Sequence, residues 1–313
     1  MAINKGLIKG SFILLIAFNI YNALNFFFHF AMARMLSVVQ YGILASLFSI
    51  IYILAIFTES IQTVIIKYTT NEDNKGKLNN ILKRSLRKSI FVSILIFLVY
   101  ILVSIPLSFL LKISYGLMAL NGVMIFLSFL TPIPRGMLQG KKRFFSLGIN
   151  MIIEAVVKFV LALVFVFIGW AVYGAIFGTI LGIITALLLS FFSIKDIIKS
   201  REEKAFTKGI YGYTKPTLLI ILAILVFYSI DVLIAKIFFS GEIAGAYAIA
   251  SILSKTIFFG IQPISRAMFP LSADNNLDKK KAENIFMTAL GIFALSIIFA
   301  LILFYFFSDF IIK

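Results

Sequence analysis

The chain has 313 residues, 61% of them hydrophobic and only 13% charged, which is too little polar surface for a soluble globular domain. Its formal charge of +16 lies in short loops between apolar runs, so it reads as the positive-inside pattern of a membrane protein rather than a nucleic-acid footprint. The lack of cysteine and the single histidine exclude a disulfide framework, a thiolate metal site and a multi-histidine centre.

The first apolar run, 11–33, follows Lys5 and Lys9. It is too long for a signal-peptide core and has no small-residue cleavage site, so it reads as a retained first helix. Further spans are expected at 42–66, 90–111, 116–134, 147–169, 171–194, 216–237, 243–268 and 285–308. The fifth and sixth are separated only by Gly169-Trp170-Ala171, a tight outer turn with an interfacial Trp. Each span must be helical, because lipid offers no partner to a free backbone group. The fold class is therefore all-α integral membrane, with about nine transmembrane helices.

The basic residues test this map. With a cytoplasmic amino terminus, the inner segments carry 23 of the 29 Lys and Arg and the outer segments 4. The bias alternates correctly at every loop, as expected for a multi-pass protein of the cell (plasma) membrane. The inner loop 67–89 holds Leu78, Ile81, Leu82 and Leu86 between its charges, the pattern of a short amphipathic helix lying at the interface. The charged segment 195–215 divides a six-helix first lobe, 1–194, from a partial second lobe of three helices, 216–313.

A weak internal repeat supports that division. Lys5-Gly6 precedes the first span and Lys208-Gly209 the seventh; Ala33-Arg34 and Ala235-Lys236 end them. Gln40-Tyr41-Gly42 opens the second span and Gly245-Ala246-Tyr247 the eighth, while Gln62 and Gln262 fall late in each. Asp73-Asn74 and Asp274-Asn275 follow in the next inner loops. An offset of six spans keeps both copies in the same orientation, so the repeat is parallel, about an axis along the membrane normal.

The residues carrying the repeat also carry a family likeness. Lys5-Gly6 precedes the first helix, and Ala33-Arg34-Met35-Leu36 leads to Tyr41-Gly42. Arg135-Gly136-Met137-Leu138-Gln139-Gly140 with Arg143-Phe144 follows the fourth span. Val172-Tyr173-Gly174-Ala175, Asp231, Gly245-Ala246-Tyr247 and Pro270 complete the set. With these the chain resembles the polysaccharide and oligosaccharide-lipid exporters of the multidrug/oligosaccharidyl-lipid/polysaccharide flippase superfamily. The resemblance implies two six-helix lobes around a central cavity, alternating access and export of an anionic lipid-linked glycan. Members commonly carry more helices than this chain, so the second lobe is expected to be truncated.

A charge at membrane depth faces a cavity or a partner. Asn150, Glu154 and Lys158 form one stripe in the fifth span. Two readings stand: a Glu154–Lys158 pair that neutralises itself, or a cavity wall that binds an anionic diphosphate or couples to a proton. Asn19, Asn22, Asn25 and His29 share a face of the first span, where interhelical hydrogen bonding is the plain alternative. Lys255, Gln262 and Arg266 share a face of the eighth, and Glu59 and Gln62 one of the second. Asp231 lies late in the seventh, near Lys236. Cationic groups could replace the hydration of a diphosphate head. The substrate-binding set expected from this is Lys158, Glu154, Asn150, Lys255, Arg34, Arg266, Arg135, Arg143, Asn22 and Asp231, with Arg34 at the outer mouth and Arg135 and Arg143 at the inner one. Gly174, Gly178 and Gly182 make a small-residue face for close helix packing.

No catalytic residues, metal site or cofactor are expected. Gly136 to Lys142 lacks the spacing and final Ser or Thr of a phosphate loop, and His29 stands alone in its span. The expected partners are the lipid-linked glycan, membrane lipids, glycan-assembly enzymes and a second copy of the chain, with no nucleic acid. Beside the flippase reading stand a cation-coupled multidrug antiporter of the same superfamily, using Glu59, Glu154 or Asp231, and a truncated non-transporting remnant or assembly subunit.

Overall fold

The computed structural model describes residues 5–205, 229–252 and isolated positions from 254 to 306. The chain forms two compact units, Met1–Ile249 and Ala250–Lys313. The second is helical at its described positions.

The first unit begins with α1 (Lys5–Met35), α2 (Val38–Thr70) and α3 (Lys75–Leu111). It continues with α4 (Tyr115–Ser128), α5 (Pro132–Gly140), α6 (Phe144–Phe165), α7 (Ala171–Ser193) and the one-turn α8 (Lys195–Ile198). Two helical stretches follow, α9 (229–238) and α10 (241–252), the latter running into the second unit. Among the described residues, five stretches are long and apolar enough to cross a membrane: Ile13–Met35, Val38–Thr70, Lys75–Leu111, Tyr115–Gly140 and Phe144–Ser193. The last holds two passes. Its π-helical turn, Val166–Trp170, reverses the chain at Gly169, whose φ of 96° suits a residue without a Cβ. Trp170 stacks on Phe165 at 5.1 Å, closing the predicted turn. The expected spans 216–237 and 243–268 are described only from 229 and only to 255, and the repeat marks at Lys208, Gln262 and Asp274, with Pro270 of the family likeness, lie outside the described residues.

Two helices depart from expectation. The segment 75–89 is not a separate interfacial helix but the start of the continuous α3. Its apolar face is covered by protein instead of lipid: Leu78 and Leu82 pack with Ile133, Met137, Leu138, Ile194 and Ile197. Where one helix was expected over 116–134, the chain breaks between α4 and α5. Pro132 and Pro134 bring no N–H to an α4 hydrogen-bond ladder, while Pro132 suits the first turn of α5.

At the basic end of the bundle, the segment after α7 is strapped onto α3. Asn79 donates to the carbonyls of Ile198 at 3.2 Å and Ser200 at 2.7 Å. Asn80 donates to Glu202 at 2.6 Å, Lys83 reaches Glu202 at 3.0 Å, and Asn74 donates to Glu203 at 2.8 Å. The Glu203 N–H meets the Gly76 carbonyl at 3.1 Å. Residues 195–205 of the expected linker are thus a fixed strap, because the Asn side chains satisfy its free backbone groups.

At the opposite end the internal repeat becomes visible. α1 and α9 end at 35 and 238, and a two-residue connection leads from each into α2 and α10. The Ser37 hydroxyl accepts from the Gln40 N–H at 3.3 Å, and the Ser240 hydroxyl from the Ile243 N–H at 3.4 Å. Both are N-caps on the third helical residue. The two helices meet at the matching glycines: a Cβ on Gly42 would stand 2.8 Å from the Gly245 Cα.

Candidate functional site

Packing divides the first unit into two apolar clusters. One holds Phe28, Phe48, Ala162 and Ile183, the other Ile65, Met137, Met151 and Ile194. A polar layer lies between them on α6, where Asn150, Glu154 and Lys158 are all buried. α7 comes close enough to seal this layer because Gly182 has no side chain. A Cβ there would stand 2.9 Å from the Glu154 carbonyl oxygen and 2.9 Å from Lys158 Cβ.

Lys158 reaches across to α1 and α2. Its Nζ donates to Asn25 Oδ1 at 2.8 Å and lies 4.1 Å from the Phe28 ring centre and 4.9 Å from that of Phe48. One amide oxygen and two aromatic faces thus hold the three-donor ammonium. Among the described residues, no carboxylate stands within ion-pair distance of it.

The self-neutralising Glu154–Lys158 pair is therefore not formed. Glu154 pairs with Arg135 of α5. The Arg135 Nε donates to Asn150 Oδ1 at 2.7 Å, and the Asn150 amide donates to the Ala186 carbonyl at 2.7 Å. The rigid guanidinium fork explains the preference: it serves Asn150 and Glu154 together, one turn apart, which the point charge of Lys158 cannot do. Among the described residues, two cations and one carboxylate share the layer, which leaves Lys158 without a carboxylate partner.

Next to Lys158, His29 is buried between the hydroxyls of Tyr52 at 3.4 Å and Tyr41 at 3.5 Å. The rings of Phe28 and Phe48 each stand 5.2 Å from it. His29 is part of the layer's wall and hydrogen-bonded, as the interhelical reading of that face expected.

The other expected site residues lie apart. Arg143 grips Asp196 through two hydrogen bonds, at 2.8 and 2.7 Å, and also reaches the Ser193 carbonyl at 2.7 Å. Lys75 adds an ion pair to Asp196 at 3.1 Å. The Arg143 guanidinium holds the Asp196 carboxyl well below the usual carboxylate range, with Lys75 assisting. Asp196 in turn raises the pKa of Arg143. Arg143 thus serves the strap. Arg34 is exposed at the end of α1, its guanidinium 5.1 Å over the Phe30 ring. Asn22 is half-buried on α1. Asp231 accepts from the Tyr247 hydroxyl at 3.2 Å, joining α9 to α10. Lys255 belongs to the second unit, and Arg266 lies outside the described residues.

The structure brings together four of the expected residues, Lys158, Glu154, Asn150 and Arg135. It adds Asn25, Phe28, Phe48, Tyr52 and Gly182 to their surroundings. The Asn25 face and the glycine stripe were readable as patterns; the two phenyl rings carried no distinguishing mark. Among the described residues, no group of His, Asp and Glu is arranged to hold a metal ion.

Comparison with known proteins places this geometry. The family described as polysaccharide biosynthesis protein matches residues 31–313. No curated protein matches the chain. A MATE crystal structure in complex with MaD5 superposes with a TM-score of 0.64 at 16% identity, covering 98% of this chain and 74% of that one. A MOP superfamily transporter from Pyrococcus furiosus, described by the reverse polarity of its binding pocket, gives a TM-score of 0.64 at 15% identity, covering 97% and 73%. The MATE multidrug transporter DinF-BH in complex with R6G gives 0.63 at 15%, covering 99% and 75%. The fold is that of the MATE transporters.

Proposed function

Because the chain belongs to the polysaccharide biosynthesis protein family, we propose that it is a membrane transporter that moves anionic lipid-linked oligosaccharide or polysaccharide precursors across the bilayer by alternating access. The observation that carries this reading is the charge of the buried layer. Glu154 is neutralised by Arg135, while among the described residues the Lys158 ammonium is held by Asn25, Phe28 and Phe48 and by no carboxylate. Burying a cation without a counter-charge is costly, and an anionic head group arriving from lipid supplies that charge. Phosphate oxygens displace the amide and the aromatic faces, because they offer the ammonium a hydrogen bond in which both partners are charged, where the amide oxygen is neutral. The pocket polarity by which the Pyrococcus furiosus transporter is described supports treating charge as the discriminating property within this fold. With the basic loops on the cytoplasmic side, the substrate enters from the inner leaflet.

The competing antiporter reading takes support from the R6G-bound multidrug transporter of the same fold. It needs an acidic group ready to exchange a cation; of its three candidates, Glu154 is engaged by Arg135, Asp231 lies apart beside Tyr247, and Glu59 is exposed on α2.

The test is complementation of glycan export in a flippase-deficient cell. Lys158→Ala is expected to abolish rescue at unchanged protein level, and Lys158→Arg to retain part of it. Full rescue by Lys158→Ala removes the site from the reading. Efflux of a cationic dye that depends on Glu154 would favour the antiporter.

A further inference from the structure

Arg135 stands on a different helix from Lys158, yet it engages the carboxylate one turn away from that lysine. Glu154 lies one turn from Lys158 on α6, at the spacing where a carboxylate and an ammonium normally pair. It pairs with Arg135 instead, and the Nε of the same guanidinium donates to Asn150 at 2.7 Å. Asn150 is itself fixed by the Ala186 carbonyl of α7 at 2.7 Å. Three helices therefore hold the carboxylate away from the lysine. We propose that Arg135 is a positioning residue that sorts the charges of this layer, sequestering Glu154 so that Lys158 remains open to the phosphate groups of a lipid substrate.

This rests on the anion-transport reading and names the substrate feature recognised: a lipid-borne diphosphate. Without Arg135, Glu154 would turn to its neighbour on the same helix and occupy Lys158 internally. The anion would then have to displace a carboxylate rather than an amide and two rings. A purely structural Arg135–Glu154 pair predicts something else. Either single substitution would then harm the protein equally, and neither would alter the affinity of the folded fraction.

The experiment measures binding of farnesyl diphosphate to the full chain, purified in detergent, with farnesol as the uncharged control. Folded protein is quantified by size-exclusion chromatography. Wild type binds the diphosphate and not the alcohol, and Lys158→Ala loses binding. If either result fails, the anion reading itself falls. If both hold, the sorting is tested separately. Arg135→Gln is expected to weaken binding about tenfold or more, and Arg135→Gln/Glu154→Gln to recover most of it, since no carboxylate remains to block the lysine. Glu154→Gln alone is expected to bind at least as well as wild type. If Arg135→Gln is not recovered folded, Glu154→Gln and the double variant decide the matter. Loss of binding in Glu154→Gln, or a double variant no better than Arg135→Gln, overturns the proposal.

Discussion

Gly182 of α7 lies directly against Lys158 of α6: a Cβ added to the glycine would stand 2.9 Å from the lysine Cβ. The site's position is thus set by a residue with no chemistry of its own. Gly182→Leu is expected to push α6 and α7 apart and to cost about 1–3 kcal/mol through overpacking. The check is thermal unfolding in detergent together with glycan-export rescue. Rescue is expected to fall even where the protein is still produced, because the Lys158 ammonium leaves its cage.

The two phenyl rings are expected to stabilise the charged lysine. In a double-mutant cycle between Lys158→Met and Phe28→Leu, the coupling energy should be about 0.5–2 kcal/mol, the range for a partly desolvated cation over an aromatic face. The same cycle with Phe48→Leu should give less, since that ring centre is farther away, at 4.9 Å against 4.1 Å. Denaturant unfolding of the four proteins in each cycle measures both values; absent coupling would refute the cage, and a larger value for Phe48 would refute the ranking by distance.

The helix starts at the end opposite the strap can be stapled. A Cβ on Gly241 would stand 3.9 Å from Val39 Cβ, a separation suited to a disulfide. The chain has no cysteine of its own, so Val39→Cys/Gly241→Cys can be read without background. The disulfide is expected to form under mild oxidation and to arrest transport, with recovery on reduction. A cross-linked protein that still rescues export would show that this end need not open.

Acid should leave the strap intact until the carboxylate range is passed. The folded pKa of Asp196 is depressed by Arg143 and then Lys75, so its contribution is present above the unfolded value and lost as pH falls through the folded one. The stability difference between wild type and Asp196→Asn should therefore be level from neutral pH down to roughly pH 4 and shrink only below it. Melting curves across that range measure it. A difference that fades near pH 6 would point to a histidine or another group instead.

The spans among the described residues were legible because lipid imposes long apolar runs and basic loops, and a run of that length satisfies its own backbone as a helix. The continuity of α3 was not, since Leu78, Ile81 and Leu82 at helical spacing fit a protein groove as well as a membrane surface. Pro132 and Pro134 announced the break between α4 and α5, but the apolar run around them outweighed the signal. Spacing pointed to Glu154 and Lys158 as partners, and the true partner of Glu154 came from α5, which no single-helix pattern can reveal. Phe28 and Phe48 are two of 35 phenylalanines, most of them ordinary in a greasy helix. What a side chain does at membrane depth was readable only where it was polar.

The facing glycines at 42 and 245 have an implication for how such a chain could arise. They occupy equivalent places in the two copies of the repeat, each five residues past its capping serine, and they touch one another. A contact between equivalent points is what two identical subunits make across a dyad. A single-lobe ancestor would have carried the same glycine on the same helix start, so two such molecules would have met through the contact now seen within one chain.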